Sequence, residues 1–170
     1  MRLLLRRQVR QRDGFACSYC GVTETQVGSE LTIDHFQPRV AGGDDTLENL
    51  LYCCFACNSF KGDLWSPESE ERLLHPLFDN LTEHLRYESD GRITPLTPTG
   101  QFHCDKLQLN RFPLVANRHL RLRDQQADLE HQVLQNELAE AQRQLATLLA
   151  RFSIRTEPEV ASPKDGEADA

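Results

Sequence analysis

No apolar run in the 170 residues approaches the ~20 needed to cross a bilayer. The leucines at positions 3–5 are too few, and too soon followed by Arg6 and Arg7, to read as a secretory leader. Net positive charge is also missing. The formal balance is −7, the wrong sign for bulk attraction to nucleic acid. No internal repeat points to a solenoid. These absences predict a cytoplasmic protein, whose compartment keeps thiols reduced. Paired cysteines there read as metal ligands before disulfides.

Acid, however, is missing from two stretches. Residues 1–12 carry five arginines and no acidic residue, and residues 106–123 carry Lys106, Arg111, Arg118, Arg121 and Arg123 with none. The excess acid lies in residues 64–100 and 152–170. A basic surface can therefore exist on an acidic chain.

Cysteine is what the chain does have. Cys17 and Cys20 form one Cys-x-x-Cys pair, Cys54 and Cys57 a second. Four thiolates from two such knuckles can hold one Zn²⁺ in a tetrahedron. The segment between Cys20 and Cys54 is longer than in a zinc ribbon and must carry something more. A redox dithiol is the other reading, though one pair would suffice for that. Cys53 and Cys104 stand outside the pairs, and Cys104 reads as a small core residue.

The periodicities predict a short helix over 2–12, strands over 30–35 and 49–53, and a short helix over 56–62 ended by Gly62. Asp90-Gly91 marks a hairpin turn. Asn110 reads as an N-cap, with Pro113 in the first turn of a helix reaching about Phe152. Leu134, Leu138, Ala141, Leu145, Leu148 and Phe152 repeat in steps of four and three, a heptad seam. Some forty helical residues would span ~60 Å, so residues 115–152 are expected to offer a surface for a homodimer or a helical protein partner. The alternative is that they fold back as core.

The stretch "IDHFQPRVAGGDDTLENLLYCCFACNSFKGD", between and through the cysteine pairs, resembles the HNH endonucleases, the ββα-metal nuclease family, in its subgroup with two zinc-binding Cys-x-x-Cys knuckles. The resemblance covers about residues 6–63. It implies a metal-dependent endonuclease that hydrolyses DNA phosphodiester bonds. A neutral imidazole can take a proton from water near pH 7, which makes His35 the candidate general base. The resemblance gives Asn49 the task of orienting the His35 ring. It makes Asp34 and Asn58 the ligands of a catalytic Mg²⁺ or Mn²⁺, beside the structural Zn²⁺. The last position is Asn58 where the family's name would have a histidine, which suits hard cations. Each of these residues alone has an ordinary structural explanation. Arg6, Arg7, Arg10, Arg39 and Lys61 are the candidate nucleic-acid contacts, lining a groove beside the site.

The expected fold is α+β. A ββα core stapled by a four-cysteine zinc site (1–63) precedes a mixed accessory segment with a hairpin (64–110). A long helix with a coiled-coil seam follows (111–152), then a disordered acidic tail (153–170). The competing function is a non-catalytic zinc-knuckle module that binds nucleic acid or protein.

Overall fold

In a computed structural model the described residues are 3–154; the expected disordered tail lies, from residue 155 on, outside them. The fold is mixed α and β, with two small antiparallel sheets and a long C-terminal helix. By packing it forms two units, one through Arg123 and one from Asp124.

Helix α1 (Leu3–Arg12) opens the first unit, and its Val9 is wholly buried. Asp13 follows the helix and works as a tie. Its Oδ2 accepts from Ser18 Oγ and from Tyr52 N, both at 2.7 Å, which fixes the helix end to the first cysteine knuckle and to the sheet. In the knuckle, Gly21 N donates to Cys17 O at 2.8 Å while Gly21 sits at φ +72°, a conformation glycine adopts without cost. The one-turn helix α2 (Glu24–Val27) starts from a capping box between Thr23 and Gln26.

Strand β1 (Thr32–His35) pairs antiparallel with β2 (Leu50–Cys53), with Asp34 opposite Leu51 and His35 opposite Leu50. All four residues of β2 are buried. Helix α3 (Phe55–Lys61) starts at once, and Cys54 caps it by accepting from Cys57 N. α1, β1, β2 and α3 each lie within a residue or two of their expected bounds.

The sequence pattern gave the hairpin of β3 (Leu85–Tyr87) and β4 (Ile93–Pro95), which turns at Gly91. Gly91 has φ +86°, and a Cβ there would overlap the Val115 carbonyl, so glycine is required twice over. Three helices went unforeseen: α2, the single turn α4 (Leu81–His84) and α5 (Pro98–Lys106). The signal for α5 was present, as Thr97 caps it and Pro98 occupies its first position. The residues following Lys61 do not stand apart. Leu73, Leu74, Leu85, Ile93, Leu107 and Leu109 share one core with Val9 and Tyr52.

Helix α6 runs from Phe112 to Ile154. Its interior has no Gly or Pro after Pro113 and is rich in Leu, Ala, Gln, Glu and Arg, all strong helix formers. Asn110 is not its N-cap. Asn110 Oδ1 accepts from Ile93 N at 2.8 Å and Nδ2 donates to Ile93 O at 2.7 Å, so the side chain behaves as a third strand beside the hairpin. Leu114 and Arg118 are buried, whereas every side chain described from Leu122 to Phe152 is exposed. Among the described residues no helix is long and apolar enough to cross a membrane.

Helix α5 buries His103 almost completely, with Nδ1 accepting from Leu74 N at 3.1 Å. Burial lowers its pKa from 6.5 to about 4. The unfolded chain therefore takes up a proton that the folded chain refuses. The stability this supplies is complete above pH 6.5 and is lost as pH falls towards 4. Between pH 7 and pH 5 the loss amounts to about 2 kcal/mol. Urea unfolding of wild type and His103→Asn at both pH values measures it. The wild type should lose that much more than the variant, and equal losses would refute the assignment.

Candidate active site and metal centre

Cys17, Cys20, Cys54 and Cys57 converge. All four are buried and their sulfurs lie within 4.8 Å of one another. The sequence positions them by two devices: the Gly21 turn folds the first pair back on itself, and the first turn of α3 presents the second. Sulfurs 2.3 Å from a central zinc would stand about 3.8 Å apart, and Cys20 Sγ and Cys54 Sγ are 3.8 Å apart. The donor set and its size therefore fit a tetrahedral thiophilic ion.

The surroundings of the thiols were not foreseen. Arg111 NH2 approaches Cys57 Sγ at 3.7 Å with its guanidinium over the Phe60 ring. Arg121 NH1 donates to Gly21 O at 2.8 Å, inside the first knuckle. The acid-free run 106–123 thus holds the two knuckles, and its Arg118 is buried on the carbonyls of Gly91 and Leu109. The clue was the run's lack of acid: these arginines find their partners in thiols and carbonyls instead. Cys53, also buried, lies outside the four, and its Sγ donates to Cys54 O. Cys104 is buried in the core as expected.

A cleft of about 340 Å³ opens beside β1 and α3, lined by Asp34, His35, Pro38, Arg39, Asn58, Lys61 and Asp63 among others. Strand alternation would set Asp34 and His35 on opposite faces. β1 ends at His35, and both residues reach this one cleft. Asp34 is buried, its Oδ2 accepting from Tyr19 OH at 2.8 Å and its Oδ1 from Lys61 Nζ at 3.1 Å. Burial pushes its carboxyl above the ordinary range, and the Lys61 ammonium and the Tyr19 hydroxyl only partly oppose the rise. Asn58 Nδ2 turns towards Thr32 Oγ1 at 3.4 Å.

The residue that meets the His35 ring is Asp45. Its Oδ1 lies 2.7 Å from His35 Nε2, and Arg39 NH2 donates to the same oxygen at 2.5 Å. Arg39 Nε also stands 3.3 Å from His35 Nε2. The shorter and charge-assisted contact decides the tautomer: Nε2 carries the proton and donates to Asp45. The Asp45 carboxyl is held below its ordinary range, by this histidine first and by Arg39 after it.

Among the described residues, Asn49 makes no hydrogen bond to the ring. Its Oδ1 accepts from Gln37 N at 2.8 Å, and its Nδ2 donates to the carbonyls of Gln37 and Asp44. It clamps the two ends of the loop that joins β1 to β2. Gly43 lets that loop close, since a Cβ there would overlap the Gln37 carbonyl. The hydrogen bonds of Asn49 go to backbone groups, not to the ring the resemblance assigned to it. A carboxamide just before β2 faces backbone, while the loop it closes delivers Asp45.

The five expected nucleic-acid contacts separate. Lys61 is 1% exposed, and its Nζ is held by Asp34, His35 O and Gly62 O, so it offers no ammonium to a phosphate at the surface. Arg6 bonds Glu30, and Arg10 bonds Glu24 and Glu30. Arg7 is exposed, and Arg39 sits at the rim of the cleft.

Residues 17–64, which hold both knuckles, β1, β2 and α3, match the family model described as HNH endonuclease. Residues 17–64 are an HNH endonuclease domain. A 61-residue stretch is 43% identical to a CRISPR-associated endonuclease Cas9 of Corynebacterium diphtheriae. That stretch is 35% of this chain and 5% of the relative. The HNH domain thus places its Asp34, His35 and Asn58 side by side on one cleft, with its cysteine cluster in the same unit.

Proposed function

We propose that this chain is a metal-dependent endonuclease that hydrolyses phosphodiester bonds in DNA. The observation that carries the reading is the single cleft in which an HNH domain gathers a histidine, a buried carboxylate and a carboxamide. His35, with Nε2–H held by Asp45, offers its other ring nitrogen as the base that takes the proton of the attacking water. Asp45 and Arg39 fix the ring, and the Asn49 clamp fixes the loop that carries Asp45.

Asp34 and Asn58 would hold a hard divalent cation, Mg²⁺ or Mn²⁺. The donor set suits such an ion, since each Asp34 oxygen has one protein donor and a carboxylate has about four lone-pair sites. When bound, such a cation supplies positive charge to the phosphoryl and leaving oxygens. Lys61, bonded to Asp34 Oδ1, holds that carboxylate in place and opposes the rise that burial gives its pKa. Cys17, Cys20, Cys54 and Cys57 would hold structural Zn²⁺. Of the five expected contacts, Arg7 has no acidic partner among the described residues, and Arg39, though paired with Asp45, is exposed at the cleft rim; these two would meet the phosphate backbone.

Plasmid nicking in Mg²⁺ or Mn²⁺ tests the reading. His35→Ala should cut ~10²–10⁴-fold more slowly while melting at the wild-type temperature. A wild type that binds DNA but cuts with no divalent cation would replace this reading with the non-catalytic zinc-knuckle module.

A further inference from the structure

From Asp124 onward α6 leaves its seam uncovered: Leu134, Leu138, Leu145, Leu148 and Phe152 are each 50% exposed or more. Three features of that seam choose its occupant. The first is its spacing. Ala127, His131, Leu134, Leu138, Ala141, Leu145, Leu148 and Phe152 recur in steps of four and three, which read the same from either end. A second copy running the opposite way therefore meets it layer for layer.

The second is side-chain size. Antiparallel pairing sets Leu138 against Ala141 of the second copy, Leu134 against Leu145, His131 against Leu148 and Ala127 against Phe152. Each alanine faces a large residue. Parallel pairing would stack Ala127, Ala141, His131 and Phe152 each on itself, leaving voids at the alanines, facing imidazoles and crowding at Phe152.

Charge is the third. Residues 124–140 carry Asp124, Asp128, Glu130, Glu137 and Glu140 and no Lys or Arg. Residues 141–152 carry Arg143 and Arg151 and no acid. Among the described residues none of Asp128, Glu130, Glu137, Arg143 and Arg151 is in an ion pair. Parallel pairing sets acid beside acid; antiparallel pairing sets the acidic half of each helix against the basic half of the other. Glu130 and Arg151 flank the seam at equivalent heptad positions and come together across it.

We propose that residues 124–152 pair with the same segment of a second copy of this chain as an antiparallel two-stranded coiled coil centred between Ala139 and Glu140. The pairing goes beyond the nuclease reading and does not depend on it. Sedimentation equilibrium of the full chain tests it, with Glu130→Arg, Arg151→Glu and the double variant. The wild type should be a dimer at micromolar concentration. Each single reversal places like charges together twice per dimer and should weaken association about tenfold. The double variant should return to within about threefold of wild type. In a parallel pair these positions lie about 30 Å apart, and reversing both would rescue nothing. A monomer at tens of micromolar overturns the proposal, including one that binds another helical protein through this seam. So does a dimer that the double variant fails to restore.

Discussion

Stripping the four-thiol site will unfold the HNH domain. A strong chelator at neutral pH should abolish the near-ultraviolet dichroism of the first unit, and Cys57→Ser should do the same without chelator. Local structure is too slight to survive alone. β1 and β2 have four residues each and α3 has seven. A lone two-stranded sheet is marginal in water, and so is a helix below about 12 residues. The knuckles hang on turns, and Cys17–Cys20 is joined to Cys54–Cys57 by the sulfur cluster, the arginines behind it and a few hydrogen bonds of Asp13 and Ser18 to Tyr52. Structural zinc contributes about 10–16 kcal/mol in comparable small sites, against a total stability of about 5–15 kcal/mol for a domain. Loss of the ion therefore removes as much as the whole reserve. Cys104→Ala serves as the control: it is buried but outside the cluster, and should cost only ~1–2 kcal/mol. Metal analysis should find about one tightly held zinc per chain. An unchanged melting curve in chelator, with no metal in the untreated protein, removes the zinc reading.

The sequence made the site's frame legible because its signals were local. Two-residue spacing between cysteines, the Asp34-His35 step and the Gly62 stop of the short helix α3 are all decided within a few positions. What escaped was decided across the chain. Nothing near Asn49 says whether its amide meets a ring or a backbone, because that depends on how the loop from Gln37 to Asp44 closes. Asp45 carries no periodic signal and became visible only once that loop delivered it to His35. The arginines of 106–123 read as basic surface in sequence, yet Arg111 and Arg121 lie against the knuckles and Arg118 is buried. Asn110 shows the same limit: a residue suited to capping a helix was instead taken by the hairpin at Ile93. The exposed seam of α6 was legible from Leu134 to Phe152 for the opposite reason, since those six positions lie on one helix.

Lys61→Met will destabilise the first unit by about 3–5 kcal/mol, more than any surface lysine would. Lys61 read in sequence as a phosphate contact; here it is 1% exposed and forms the buried partner of Asp34, itself 6% exposed. Tyr19 satisfies one carboxylate oxygen, but a neutral hydroxyl does not neutralise charge. Methionine fills the space of the lysine chain and leaves the carboxylate without its cation, and burial already raises the carboxyl's pKa. The pair is therefore coupled. Asp34→Asn/Lys61→Met removes both charges while keeping an amide for Tyr19, and should regain most of the loss. Urea denaturation of the wild type, both single variants and the double variant closes the cycle, with an expected coupling of about 3 kcal/mol. Additivity within about 0.5 kcal/mol would mean that the two groups do not depend on each other. The double variant also separates folding from chemistry: it should fold while lacking the carboxylate that the proposed mechanism requires, so restored stability should come without restored nicking.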